Sequence, residues 1–166
     1  PPQSLDAEQS VLGSILIDSR CVADVIGILK PEDFFLPQNR ELYETIYTMF
    51  SYSKPIDGIT VAEEMQKNGT YDENTTRSYL VQLMDVTPTS ANAMEYVAII
   101  RDKALLRNLA RAAGDIVSMV QEGVGEAGDI LEAGEQKIYA VRQGREVKGF
   151  ATINEAIREV YDNLDE

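Results

Sequence analysis

The chain has 166 residues, 44% of them apolar, which is enough to bury one ordinary core with a smaller extension. Its apolar runs fall far short of the ~18 residues of a membrane span, and no charged-then-apolar signal segment opens it, so a soluble cytoplasmic protein is expected. Fifteen basic against twenty-eight acidic side chains give a net charge of −13, which argues against gripping nucleic acid phosphates unaided; one cysteine and no histidine leave few metal ligands and no internal disulfide.

Nearly every apolar pattern repeats at about 3.6 residues, so the predicted elements are helices. Leu5 to Ile17 places Val11, Leu12, Ile15 and Leu16 on one side of a first helix. Val22, Val25, Ile26 and Leu29 make a short second helix closed by Pro31, with Cys21 as a small helix residue. A longer helix begins near Pro37, whose ring suits a first turn, and carries a stripe of Leu42, Ile46, Met49 and Phe50 until Pro55 prevents its continuation. Thr60 and Glu63 stand at the spacing of a capping box, and Asn68-Gly69 supplies a left-handed stop. Arg77 to Val86 carries Leu80, Leu83 and Met84 before Pro88. Residues 1–100 are therefore expected to form a compact helical domain. Most of the charge imbalance lies there, with 6 basic and 15 acidic side chains (net −9) against 9 and 13 (net −4) in residues 101–166.

From about Ala91 a helical pattern runs without proline for roughly thirty residues, longer than the ~11–12 of an average helix, and should project beyond the core. Leu106, Ala110, Ala113, Val117 and Val120 make one seam, and Leu105, Leu109, Ala112, Ile116 and Met119 make its neighbour. Gly123, Gly125 and Gly128 interrupt the pattern, and Leu131, Gly134, Ile138 and Val141 form the stripe of a returning helix. An αα-hairpin over 101–143 with two seams has two packing surfaces. One can face the returning helix and leave the other for a neighbouring subunit, whereas near Leu105 and Leu109 the seam serves equally well to cover the first domain.

After the loop Gly144 to Gly149, Thr152 and Glu155 again stand at capping-box spacing. Ile153, Ile157, Val160, Tyr161 and Leu164 recur at helical spacing to Glu166. A fifteen-residue helix is marginal alone in water, so this one is expected to dock on something, and the loop before it lets the target be another chain.

Catalytic signals are thin. Gly123 to Gly128 carries an acid and no following lysine, so it is no phosphate loop. Glu32-Asp33 and Glu63-Glu64 are paired carboxylates without a third ligand or base, more in keeping with solvated helix starts than with a metal site. Lys103, Arg107 and Arg111 share a helical face and read as an exposed stripe paired with acids.

Ser4-Leu-Asp-Ala-Glu-Gln-Ser-Val-Leu-Gly13, Leu29-Lys-Pro-Glu-Asp-Phe-Phe35, Asn39-Arg-Glu-Leu-Tyr43 and Pro55-Ile-Asp57 resemble the N-terminal domain of bacterial replicative DNA helicases. So do Ala91-Asn92-Ala93 with Tyr96, Ile100-Arg-Asp-Lys103 and Ala133-Gly-Glu-Gln-Lys-Ile138, and the likeness keeps its order from residue 4 to 166. Gly134 departs from it, since relatives carry a better helix former there; a glycine suggests an unusually close contact.

The resemblance implies an all-α chain: a compact N-terminal domain (1–100), a projecting antiparallel hairpin (101–143), and a loop with a linker helix (144–166). It implies homo-oligomers from dimer to hexamer, a trimer of dimers forming a collar over a motor domain outside this chain. The face Ile153, Ile157, Val160, Tyr161 and Leu164 would dock on a neighbour's motor domain. ATP and magnesium belong to that motor, which unwinds duplex DNA. The fragment itself would have no catalytic residue, no cofactor and no nucleic acid contact. The hairpins would receive the primase C-terminal domain, with a helicase loader nearby, and Ile116, Val117, Met119, Val120, Ile130 and Tyr139 are the candidate subunit or partner contacts, chosen for apolar character. Two other classes compete: a stand-alone helical adaptor or regulator that dimerises through its hairpin, for which no basic recognition helix is visible, and an enzyme with an acidic metal site.

Overall fold

The computed structural model describes residues 1–144. The expected linker helix, with its capping box and its face Ile153, Ile157, Val160, Tyr161 and Leu164, lies outside the described residues. Among the described residues every regular element is helical: α1 (Leu5–Ile17), α2 (Val22–Ile26), α3 (Pro37–Ser51), α4 (Gly58–Lys67), α5 (Thr76–Asp85), α6 (Ala93–Glu122) and α7 (127–144). The chain divides into two compact units, residues 2–104 and a second beginning at Leu105. None of these helices is long and apolar enough to cross a membrane.

In the first unit α1 starts at Ser4, whose Oγ accepts from the Ala7 amide at 3.2 Å. Its buried face is the expected one, Val11, Leu12, Ile15 and Leu16. That face packs on α5 and α3, and α4 packs on α3 and α5. Gly13 lets α1 approach α5 closely, because a Cβ there would fall within 3.0 Å of Thr87 and of the Leu83 carbonyl oxygen. Tyr43 stacks at a tilt on Phe34, centroids 4.6 Å apart, and its hydroxyl donates to the Leu29 carbonyl at 2.8 Å. Burial drives the ionisation of that phenol upward.

Several boundaries differ from the sequence reading, each for a local reason. α2 stops at Ile26, so Leu29 is buried from a turn, and Pro31 opens a 3-10 turn, Pro31–Asp33. Cys21 lies in the 3-10 turn Ser19–Cys21, where its thiol donates to the Asp18 carbonyl. α3 ends at Ser51, before Pro55: the Lys54 amide donates to the Met49 carbonyl at 2.9 Å and that of Ser53 to Phe50 at 3.0 Å, with Ser53 at φ 56°. Leu42, Ile46 and Met49 are buried, but Phe50 is exposed.

The capping box of α4 is Asp57 with Thr60, not Thr60 with Glu63. The Thr60 amide donates to Asp57 Oδ1 at 2.8 Å and the Asp57 amide to Thr60 Oγ1 at 2.9 Å. Aspartate is the stronger N-cap, and it places the threonine hydroxyl at the third helical position, where it can reach back. Gly69, at φ 78°, ends α4 as expected.

The paired acids also have structural employment. Asp33 is buried rather than solvated, and its carboxylate accepts from the Lys30 amide at 2.8 Å. Glu64 pairs with Lys54 at 3.0 Å. Asp18, which follows α1, accepts from Arg20 Nε at 2.8 Å and from Ser90 Oγ at 2.9 Å. Those bonds, Arg20 foremost, lower its carboxyl from the ordinary 3.8 to about 2.

A buried polar chain ties three helices together. Glu8, 1% exposed, accepts from the Phe35 amide at 2.8 Å, the Leu36 amide at 3.3 Å and Asn39 Nδ2 at 3.0 Å. The Tyr79 hydroxyl donates to Asn39 Oδ1, which links α5 to α3 and α1.

Candidate docking surface on the hairpin

The second unit consists of the α6 segment from Leu105, the glycine turn and α7. Gly123, at φ 62°, ends α6 with its amide on the Met119 carbonyl, and Gly125, at φ 97°, completes the reversal. Of the seam Leu105, Leu109, Ala112, Ile116 and Met119, Ile116 lies against α7, its side chain 3.6–3.8 Å from where a Cβ on Gly134 would stand. Ala112 is buried, Ile116 and Met119 are half-buried, and only Leu109 stays exposed beside half-buried Leu105. Lys137 spans the two helices to Asp115 at 3.5 Å, an exposed pair of small worth.

The other seam stays open. Leu106 is exposed, Val117 is 55% exposed and Val120 62% exposed. On α7 the expected stripe is unevenly covered: Gly134 is buried and Val141 half-buried, but Leu131 and Ile138 stay exposed. The inward positions are instead Ile130, Ala133 and Gly134, because α7 turns its small residues toward α6.

Ile116 and Val120 on α6, with Ile130, Leu131, Gly134 and Ile138 on α7, line a shallow apolar concavity of about 630 Å³. It gathers three of the six candidate contacts, Ile116, Val120 and Ile130. Val117, Met119 and Tyr139 do not line it; Tyr139 is 60% exposed and its hydroxyl accepts from Gln143 Nε2. Leu131 and Ile138 are members of this surface that the periodic reading assigned to the interior. The signal that could have placed them is the row Ile130, Ala133 and Gly134, which already supplies α7 with a small, inward face.

The close contact expected at Gly134 is not sterically required. A Cβ there would meet the Ile116 side chain at 3.6–3.8 Å, ordinary van der Waals contact. Gly134→Ala should therefore stabilise the hairpin by up to about 0.8–1 kcal/mol through helix propensity, read as a higher Tm; a lower Tm would mean that the position is spatially constrained.

On the basic face of α6, Arg111 donates to Asn108 Oδ1 at 3.2 Å. Among the described residues no group of three acidic, cysteine or histidine ligands converges. The Gly123 to Gly128 turn carries Glu126 and no lysine, so these residues do not fit a nucleotide phosphate, and no phosphate chemistry is assigned to them.

A helical domain followed by a hairpin with an open apolar side is thus the arrangement to be matched. Residues 1–102 match the model of the DnaB-like helicase N terminal domain. The chain belongs to that family. The likeness extends past the matched region. The replicative DNA helicase DnaB of Leifsonia xyli is 35% identical over 99% of this chain, covering 36% of the relative's own length. Those of Mycobacterium leprae and Geobacillus stearothermophilus are each 32% identical over 99% of the chain, covering 28% and 36% of their lengths. This DnaB-like chain therefore spans about a third of the curated relatives it matches. The crystal structure of the N-terminal domain of DnaB helicase from Mycobacterium tuberculosis superposes with a TM-score of 0.79 at 35% identity, covering 84% of this chain and 99% of that one.

Proposed function

We propose that this chain is the oligomerising and partner-docking portion of a replicative DNA helicase that, as a hexamer, unwinds duplex DNA with ATP and magnesium held by a motor domain outside residues 1–166. The observation that carries this reading is the apolar side of the hairpin, where Val117, Val120, Leu131 and Ile138 stay exposed on neighbouring turns. Monomeric proteins seldom leave large apolar patches uncovered, and two of these hairpins can bury such side chains against each other. The same surface suits the C-terminal domain of a primase, and a helicase loader could share it. The net charge of −13 favours protein partners over direct contact with DNA.

Titration calorimetry with a bacterial primase C-terminal domain tests the docking half. The chain should bind saturably, and Val120→Glu combined with Tyr139→Glu should weaken binding at least about tenfold, or ~1.4 kcal/mol. Both side chains are more than half exposed, so the melting temperature should barely move. Absence of binding, or full affinity in the double variant, would count against a hairpin platform.

A further inference from the structure

A second concavity lies within the first unit. It is about 500 Å³, within the roughly 300–1,000 Å³ of ligand pockets, and sits where the starts of α3 and α5 meet the end of α4. Its floor is apolar: Leu42, Met65 and Leu80 are buried, and Tyr79 is half-buried. Its rim carries two exposed carboxylates, Glu41 and Asp72, and no lysine or arginine lines it. Among the described residues neither carboxylate forms an ion pair; the Asp72 carboxylate accepts from the Asn74 amide at 2.8 Å.

We infer that this pocket receives a peptide segment of a partner protein that inserts one lysine or arginine flanked by apolar residues. The long alkyl stem of such a side chain would lie on Leu42, Met65, Leu80 and Tyr79, while its cationic head reached the two carboxylates. An acidic ligand is the competing choice, since helix N-termini carry partial positive charge. At α3, however, the first helical residue is Pro37, which has no amide to offer, and the Glu8 carboxylate already accepts from the Phe35 and Leu36 amides before it. Two full negative charges on the rim then set the sign. The surplus of nine acids over bases in residues 1–100 draws a basic partner in the same direction.

Amide NMR of the whole chain, titrated with acetyl-Leu-Arg-Leu-amide and with acetyl-Leu-Glu-Leu-amide, tests the assignment. The arginine peptide should give saturable shifts confined to residues 37–42 and 65–80, and the glutamate peptide none. Glu41→Lys with Asp72→Lys should weaken the arginine peptide by about tenfold or more, an effect that rising salt mimics. Should charge reversal disturb the fold, Glu41→Gln with Asp72→Asn gives the same reading at smaller amplitude. No saturable shift, equal shifts from the two peptides, or indifference to either variant would overturn it. All these signals arise in residues 2–104, so the outcome is independent of hairpin association.

Discussion

Glu8→Ala is expected to lower the unfolding free energy by about 3–5 kcal/mol, because it removes a buried carboxylate that accepts three hydrogen bonds, one of them from buried Asn39. α3 begins with a proline at its first position and a leucine as its N-cap, and neither can close the helix start with a side chain. Glu8, 27 and 28 residues earlier, accepts from the Phe35 and Leu36 amides that lead into the helix and from the Asn39 side chain in its first turn, which places its carboxylate at the positive end of α3. Removing it takes away an acceptor of the Phe35 and Leu36 amides and of one Asn39 proton, and loosens the Tyr79 link to α5. Glu8→Gln retains one oxygen acceptor but presents a donor where a donor already points, so its cost should fall between wild type and alanine. Urea unfolding followed by circular dichroism gives the comparison; a loss below about 1 kcal/mol for Glu8→Ala would mean that the network is dispensable.

Gly13→Ala should be nearly as damaging despite adding only a methyl group. Helix propensity alone would favour alanine by about 1 kcal/mol. The opposing contact is with atoms that cannot yield: the Leu83 carbonyl oxygen is backbone, and buried Thr87 donates its hydroxyl to that same oxygen at 2.8 Å. Overlap there forces α1 and α5 apart along the buried face of Val11, Leu12 and Ile15, for a net loss of about 2–3 kcal/mol. Gly114→Ala is the control, since nothing lies within 4 Å of its added methyl. It should stabilise α6 by about 0.5–1 kcal/mol, opposite in sign. A neutral Gly13→Ala would show that the two helices can separate without penalty.

Both residues stand inside the opening string that resembles the helicase family, yet neither role was legible there. An acid in the first turn of a helix is ordinary, and only its phase betrays Glu8: it lies four residues before Leu12 and seven before Ile15, on the face that α1 buries. Gly13 reads as a mild defect until α5 is placed against it. The period-3.6 pattern, by contrast, located α1, α3, α5 and the thirty residues of α6 closely, because each must bury one continuous stripe. It failed where short-range polar chemistry or packing geometry decides. Asp57 outcompeted Thr60 as a cap, Ser53 ended α3 before the proline, and Leu131 and Ile138 stayed exposed while Gly134 was buried against α6. At the candidate site the apolar content of the hairpin was legible, whereas the choice of open seam required both helices in place.

Sedimentation equilibrium of the whole chain from micromolar to millimolar concentration, beside Val117→Glu, most directly tests whether the hairpin joins subunits. Wild type should rise with concentration from the single-chain mass to that of a dimer or larger assembly. Val117→Glu, which would bury an unpaired charge at a cost of several kcal/mol, should stay near the single-chain mass. A wild-type chain that remains a monomer at the highest concentration, or a charged variant that associates equally well, would contradict it.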